Sequence, residues 1–226
     1  MKSQGLLKNV DSYDVDDLLV KVEKSFDIKF GKTELVNIAT FGELCDHIAG
    51  KIELDHSDDC TTRQAFYKLR EAISSTLGID NRSISPDLPL TDLLPRQNRC
   101  AKIAELENHL GFKLNILRPP QWVIYTFLTF CLASLALIIF TSWQVVGVSG
   151  LVISIGGLWL ARKIGNEFDV RTAGQVVEKM ARENYLRSRR NPTTFNRNEI
   201  EKVLADLFSN DLGLDRSLFE REARFV

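Results

Sequence analysis

Residues 122–161 form one long apolar stretch that contains no Asp, Glu, Lys or Arg. About 20 apolar residues are enough for a helix to cross a bilayer, and the strands and buried helices of globular domains are much shorter than this stretch. We therefore predict two membrane-spanning helices, residues 122–141 and 145–161, joined by a polar break at 142–144. The alternative is a buried hairpin inside a soluble protein, which so long an uncharged stretch disfavours.

The residues around and within this hairpin predict how it lies in a membrane. Basic residues flank it on both sides and are retained on the cytoplasmic face of a membrane. We expect a multi-pass protein of the inner (cytoplasmic) membrane, with both soluble parts in the cytoplasm. Tryptophans are expected at the interfaces, and glycines where the helices meet. The residues are Lys113, Arg118, Arg162 and Lys163; Trp122, Trp143 and Trp159; and Gly147, Gly150, Gly156 and Gly157.

Composition and charge exclude several classes of function. With 29 basic and 30 acidic residues, the net charge of -1 argues against a nucleic-acid partner. The cysteines and histidines are scattered, without the spacing of a metal site or a nucleophile motif. We therefore predict no metal site and no catalytic residues, and we expect that the protein is not an enzyme. The residues are Cys45, Cys60, Cys100 and Cys131, and His47, His56 and His109.

Helical periodicity marks the segments on either side of the hairpin. Apolar residues recur at helical spacing over residues 11–26, and Asp11 or Ser12 is suited to cap that helix. Thr40 and Glu43 form a capping box for the next helix. The chain outside the hairpin is thus expected to be all-α. The further helices are predicted at residues 40–52, 63–77, 98–110, 172–185 and 198–212.

Two polar segments lie between these helices and are interpreted as linkers. Residues 53–62 are polar, and residues 187–196 are basic. The basic segment is interpreted as a solvated connector near anionic headgroups, with specific lipid recognition as the alternative.

Two internal echoes connect the soluble segments. The sequence TFGEL from Thr40 is echoed by TAGQV from Thr172, and each follows a Phe-Asp-(Ile/Val) run. The sequence LGIDNRSISPDLPL from Leu77 is echoed by LGLDRSLFEREARFV from Leu212, and each closes a helix of similar length. We infer that the chain contains two copies of one small helical unit, cut into pieces.

Residues 11–30, with the sequence DSYDVDDLLVKVEKSFDIKF, resemble the second helix of acyl carrier proteins. Asp11 and Ser12 match the family's Asp-Ser motif, Tyr13 replaces its usual leucine, and residues 40–52 match its last helix. In that family the serine carries a covalent 4'-phosphopantetheine arm whose thiol holds an acyl group as a thioester. The resemblance therefore implies 4'-phosphopantetheine on Ser12 and a carrier that performs no catalysis itself.

The resemblance also implies two small acyl-carrier-like bundles around the transmembrane hairpin. The first is circularly permuted and closes within one chain or, by swapping of the C-terminal segment, in a homodimer. The second is degenerate, because its serine position falls near Arg96 and Gln97, where the sequence has no serine. The ranges are 9–53 with 197–226 for the first unit, 62–118 with 168–186 for the second, 121–162 for the hairpin and 187–196 for the basic linker.

The acidic residues near Ser12 imply the partners of such a carrier. In the family they attract basic patches on a phosphopantetheinyl transferase and on acyl-transfer or synthase enzymes. Here they are Asp14, Asp16, Asp17 and Glu23. The expected function is a membrane-anchored acyl carrier for acyl, lipid or polyketide-like biosynthesis at the cytoplasmic face. The alternative is a non-catalytic membrane scaffold that is not modified, in which Asp11 and Ser12 are an ordinary helix cap.

Overall fold

The computed structural model describes residues 10–140 and 143–225. Within these ranges the chain is mostly helical, with only two-residue strands, as the all-α prediction requires. The helices are α1 (Ser12–Phe26), α2 (Phe41–Lys51), α3 (Thr61–Leu77), α4 (Leu90–Leu93), α5 (Arg99–Leu110), α6 (Gln121–Phe140), α7 (Gln144–Lys163), α8 (Ala173–Glu183), α9 (Tyr185–Ser188) and α10 (Ile200–Leu212). The strands are β1 (Asp55–His56), β2 (Leu117–Arg118), β3 (Glu167–Phe168) and β4 (Thr194–Phe195). The boundaries predicted at Asn9, Thr141, Ser142 and Val226 lie outside the described residues.

Helices α1, α2 and α10 surround the first hydrophobic core. Leu18, Val22 and Phe26 recur on one face of α1 and are at most 1% exposed. They share this core with Phe41 of α2 and Phe208 of α10, whose ring centroids lie 5.8 Å apart in an edge-to-face arrangement. Helices from opposite sides of the hairpin thus complete one core.

Helices α3, α5 and α8 surround the second hydrophobic core. Its buried side chains include Leu69 and Ile73 of α3, Ile103 of α5, and Val176 and Met180 of α8. The hairpin separates α8 from the other two helices in the sequence. This core therefore also contains helices from before and after the hairpin. The amphipathic pattern of each helix does not show which helices pack together.

Helices α6 and α7 pack against each other and are long and apolar enough to span a membrane. In the described part of this pair, the only buried residues are Ser134 of α6 and Gly147, Ser154 and Ala161 of α7. The small residues thus face inward and the large apolar side chains face outward, which is the packing expected of helices in lipid. The alternative of a buried hairpin conflicts with this exposure.

Three of the four glycines predicted at the contact between these helices lie there. A Cβ atom on Gly147 would come within 2.8 Å of the Ser134 carbonyl oxygen, and one on Gly150 would overlap the Ser134 side chain. A Cβ atom on Gly157 would overlap a phenylalanine ring of α6. Gly156 has nothing within 4 Å of its Cβ position, so the prediction was wrong for this residue.

Two pairs of short strands join segments that are distant in the sequence. Strands β2 and β3 are antiparallel, with Leu117 opposite Phe168, so the chain enters and leaves the hairpin at one place. Strands β1 and β4 are parallel, with Asp55 opposite Thr194. The two segments interpreted as linkers therefore contact each other.

The interpretation of residues 187–196 as a solvated connector is wrong for Arg189. This residue is 0% exposed. Its guanidinium donates hydrogen bonds to the Asp59 carbonyl (3.1 Å) and to the Thr61 hydroxyl at the start of α3 (2.5 Å). A buried cation requires such polar partners, and the sequence of a basic run does not show that they exist. Arg189 therefore connects residues 187–196 with the start of α3 and the segment before it, through hydrogen bonds inside the fold.

Candidate functional site

Ser12 is the first residue of α1, and it is exposed. The residue before it, Asp11, is the N-cap, because its carboxylate accepts the backbone N–H of Tyr13 at 3.0 Å. Within the described residues, the Ser12 hydroxyl makes no hydrogen bond. Of the two residues suited to capping, Asp11 takes that role, and the hydroxyl of Ser12 is left available to solvent and to a modifying enzyme.

The surroundings of Ser12 combine a helix N-terminus with carboxylates. The unpaired N–H groups and the positive end of the helix dipole favour a phosphate there. Asp14, Asp16 and Asp17 are exposed, and no lysine or arginine in the described ranges forms an ion pair with them. Their charge repels a free anion and weakens the attraction of this helix end for one.

Glu23, the fourth acidic residue predicted for the partner surface, is engaged elsewhere. Its carboxylate accepts the backbone N–H of Phe30 at 2.7 Å and pairs with the Lys29 ammonium at 2.8 Å. The hydrogen bonds from Lys29 and then Phe30 lower the pKa of Glu23 below its ordinary value. Glu23 therefore holds the turn that follows α1, where Asp27 adopts the left-handed conformation (φ 50°), and its carboxylate already has partners within the chain.

An apolar groove of about 380 Å³ lies beside α1. It is formed by α1 and the segment that follows it, and its lining includes Leu19, Val20, Leu35 and Val36. Val20 and Val36 are 60% and 75% exposed. Leu19 lies about two helical turns, or ~10 Å, along α1 from Ser12. The helix that presents the hydroxyl therefore also presents apolar surface.

Equivalent backbone contacts hold the last helix of each core. The N–H of Gly42 in α2 donates to the Arg221 carbonyl at 2.9 Å, and the N–H of Gly174 in α8 donates to the Pro86 carbonyl at 2.7 Å. A Cβ atom would lie 2.8 Å from that carbonyl oxygen at Gly42 and 3.0 Å from it at Gly174. A side chain would thus clash with the backbone at Gly42 and make a tight contact at Gly174, and the echo between the segments at Thr40 and Thr172 coincides with equivalent contacts.

The serine position that the resemblance implies for the second unit falls near Arg96. The helices α1 and α5 each end in a left-handed residue, Asp27 and Gly111. Counting back from these residues aligns Arg96 with Ser12. Helix α5 begins only at Arg99, so this position has neither a hydroxyl nor a helix start.

Thiols and metal ligands are dispersed in the structure. The described residues contain no group of three or more His, Cys, Asp or Glu side chains that could hold a metal ion. All four cysteines are free. Burial raises the pKa of the Cys45 thiol to about 12, which keeps this thiol protonated and unreactive.

Sequence reasoning missed a charged cluster between α2 and the segment after α1. The Glu34 carboxylate accepts hydrogen bonds from the Gly31 backbone N–H (2.5 Å) and from Lys51, and it bonds the His47 ring at 2.7 Å. These bonds, chiefly the one from Gly31, lower the pKa of Glu34 to about 2. The cluster fixes the wall of the groove beside α1. Nothing in the sequence indicates this cluster. Glu34 lies in a turn region and His47 in α2, so no helical or strand spacing relates the two residues.

Comparisons with protein-family models, with curated proteins and with solved structures found no match for the chain. The features that bear on function are the exposed hydroxyl of Ser12, the groove beside α1 and the apolar helix pair.

Proposed function

We propose that the chain is a membrane-anchored acyl carrier-like protein that holds acyl groups on a 4'-phosphopantetheine arm at Ser12. The observation that carries this proposal is the exposed Ser12 hydroxyl, which has no partner in the described residues and starts a helix already capped by Asp11. A capping serine would use its hydroxyl for the helix, whereas a serine in the first turn can bear a phosphodiester. The arm would serve acyl, lipid or polyketide-like biosynthesis.

The residues around Ser12 have distinct parts in this proposal. The arm supplies the thiol that holds the acyl group. Asp14, Asp16 and Asp17 offer negative charge to basic patches of a phosphopantetheinyl transferase and of acyl-transfer or synthase enzymes. The groove lined by Val20 and Val36 offers apolar surface on which an acyl chain would lose contact with water.

Two carrier-like units form the soluble part of the proposed protein. The first combines residues 9–53 with 197–226, and the second combines residues 62–118 with 168–186. The two cores and the equivalent glycine contacts support this division, except that Tyr185 and Leu186, at the end of the second unit, pack into the first core. Contacts of α10 with α1 within one chain favour closure of the first unit without a second copy, and a swapped homodimer is the alternative.

The hairpin is the proposed anchor in the inner membrane, with both soluble units in the cytoplasm. Trp122, Trp143 and Trp159 lie at or near its ends and are 69%, 68% and 65% exposed, as interfacial indoles are. The Lys163 ammonium lies 5.4 Å from the centroid of the Trp159 ring, at the end of α7. The basic residues at this end and before α6 support the cytoplasmic orientation.

Intact-mass spectrometry tests the proposal directly. The full chain is co-expressed with phosphopantetheinyl transferases and purified in detergent. We expect the mass of one added arm in the native chain and none in Ser12→Ala. The control is Ser217→Ala, which removes an exposed serine two positions after another capping aspartate, Asp215, and should leave the arm in place. An unmodified native chain under several transferases contradicts the proposal.

A second candidate is a scaffold that keeps the carrier-like units and recruits enzymes to the membrane without modification. Tyr13, in place of the family's leucine, and the loss of the serine at Arg96 favour it. A scaffold would retain its partners in a pull-down with Ser12→Ala. Loss of the partners on that substitution would contradict it.

A further inference from the structure

A cleft of about 550 Å³ lies in the second unit, beside the strands that close the hairpin. Three arginines line it: Arg96, Arg99 and Arg171. Glu167 of β3 is the only carboxylate in the lining, and Phe168 contributes an aromatic wall. The cleft therefore carries an excess of positive charge.

Arg99 is the buried member of this group, with 7% of its surface exposed. Its Nε donates to the Leu94 carbonyl at 3.0 Å and its Nη1 to the Asn166 carbonyl at 2.6 Å. The guanidinium carbon lies 4.1 Å from the centroid of the Phe168 ring. In the described chain, no carboxylate forms an ion pair with Arg99 and no oxygen accepts from its Nη2. The guanidinium is thus oriented by its neighbours, but its charge is not neutralised.

Two carbonyl oxygens and the Phe168 ring stabilise the Arg99 guanidinium, but no carboxylate in the described chain forms an ion pair with it, so a bound anion would add to its stability. Burial and then the neighbouring Arg96 cation lower the pKa of Arg99, and Glu167 only partly opposes them. Arg96 and Arg171 are exposed, and neither has a carboxylate within ion-pair distance among the described residues. A buried cation without a counter-ion is costly, so an anion bound between the three guanidinium groups would stabilise the fold.

The cleft lies close to the level at which the hairpin enters the bilayer. Glu167 follows Lys163, the last residue of α7, by four positions, which span at most about 14 Å of extended chain. Strand β2 ends at Arg118, just before α6 begins at Gln121. The amide of Asn166 donates to the Arg96 carbonyl at 3.0 Å, which fixes the cleft to the segment that leaves α7. At this level the abundant anions are lipid phosphates.

We propose that this cleft binds the phosphate headgroup of an anionic membrane lipid, with Arg99 at its centre and Arg96 and Arg171 at its rim. The Nη2 group of Arg99, which donates to no oxygen in the described chain, and the exposed guanidinium groups of Arg96 and Arg171 can each donate to a phosphate oxygen. Phe168 provides an apolar wall for the carbon atoms next to the phosphate. The proposal rests on the membrane anchoring of the proposed function and is independent of the modification of Ser12.

Lipid binding is measured by native mass spectrometry of the full chain in detergent micelles. The chain is titrated with phosphatidylglycerol or phosphatidylcholine, and the double variant Arg96→Gln/Arg171→Gln is compared with the native chain. We expect the native chain to bind one phosphatidylglycerol tightly. We expect the variant to bind it with an affinity that is lower by a factor of about ten or more. Phosphatidylcholine, which has no net charge, is expected to bind weakly to both.

A matched control separates this site from general charge effects. Arg82→Gln/Arg224→Gln removes the same charge from two other exposed positions and should bind phosphatidylglycerol like the native chain. Equal binding by both double variants overturns the proposal. Competition by millimolar inorganic phosphate would show that the site takes free phosphate, and this result also overturns it.

A separate readout tests the anchor on which the site depends. Membranes that contain the native chain are extracted at alkaline pH, which releases proteins that do not span the bilayer. Release of the chain contradicts the anchor. Retention of the chain, combined with phosphatidylglycerol binding that the Arg96→Gln/Arg171→Gln variant does not weaken, contradicts only the lipid site.

Discussion

Glu107 occupies in the second core the place that Glu23 occupies in the first. One carboxylate oxygen of Glu23 accepts the N–H of Phe30 at 2.7 Å, and one of Glu107 accepts the N–H of Leu114 at 2.8 Å, each seven positions further on. The other oxygen pairs with the lysine directly before that N–H, at 2.8 Å and 2.7 Å. The same pair of interactions, one backbone hydrogen bond and one ion pair, thus connects the end of α1 and the end of α5 to the residues that follow them.

Removal of this carboxylate charge is expected to destabilise each core. In Glu107→Gln the amide oxygen can still accept the N–H of Leu114. The substitution removes the negative charge that strengthens this hydrogen bond, and it removes the ion pair with Lys113. We expect the unfolding free energy to fall by about 1–2 kcal/mol. Thermal unfolding of the full chain in detergent, followed by circular dichroism, measures it. Glu105→Gln is the control, because its partner Lys102 is an exposed neighbour on the same helix. Equal effects of the two substitutions would contradict the role of Glu107.

The Glu34 cluster predicts a pH dependence of stability. Because the folded state lowers the pKa of Glu34 from 4.5 to about 2, its charged form stabilises the fold above the higher value, and this stabilisation is lost as the pH falls toward the lower one. We expect the native chain to melt at a higher temperature than Glu34→Gln at pH 7, and the difference to shrink between about pH 5 and pH 2. A difference that is constant over this range would rule the cluster out as its source.

Tyr13 predicts how strongly the chain is recognised by phosphopantetheinyl transferases. Its side chain is 79% exposed beside Ser12, where the resemblance places a leucine. A transferase with an apolar pocket for this residue would have to remove water from the phenol hydroxyl of Tyr13. Tyr13→Leu avoids this desolvation cost and should raise the rate of modification several-fold. The measurement is the time course of the intact-mass shift at fixed transferase concentration. Tyr13→Asp, which offers no apolar contact, should lower the rate, and a rate that is the same in all three chains contradicts the prediction.

The contact between α6 and α7 predicts opposite behaviour of two glycines. Gly147→Ala places a methyl group 2.8 Å from the Ser134 carbonyl oxygen and should destabilise the pair by about 1–3 kcal/mol. Gly156→Ala meets nothing within 4 Å and should leave the stability unchanged or raise it slightly. Unfolding of the full chain by sodium dodecyl sulfate, followed by tryptophan fluorescence, compares them. A larger loss at Gly156 than at Gly147 would contradict the packing described for this pair.

Local signals in the sequence were enough to place most helices. The capping box predicted at Thr40 and Glu43 is confirmed, since both of its hydrogen bonds are present. Gly78 and Gly111 end α3 and α5 in the left-handed conformation, as a glycine after an apolar run indicates. The helix predicted over residues 172–185 instead stops at Glu183, because the backbone of the next residue leaves the helical region, and no glycine or proline announces this break.

The features that sequence reasoning missed depend on partners that are distant along the chain. Arg189 lies in a basic run whose composition is typical of solvated segments, yet it donates to Asp59, which precedes α3, and to Thr61, the first residue of α3. The side chain of Glu23 has the same chemistry as that of Asp17, and only the turn after α1 decides that Glu23 is engaged and Asp17 is exposed. The exposed position of Ser12 could be predicted, because it depends on the helix start alone.

The position of the hairpin within the chain also sets an order in time. Because α8 and α10 follow α7, both leave the ribosome only after the hairpin has been synthesised. Until then neither core can close, and Leu18, Val22 and Phe26 of α1 lack the helix that covers them. A newly made chain would thus expose its membrane-length hairpin before α1, the helix that carries Ser12, is covered by its partners. In the proposed carrier, an enzyme that requires the closed bundle would therefore attach the arm last, to chains that are already in the membrane.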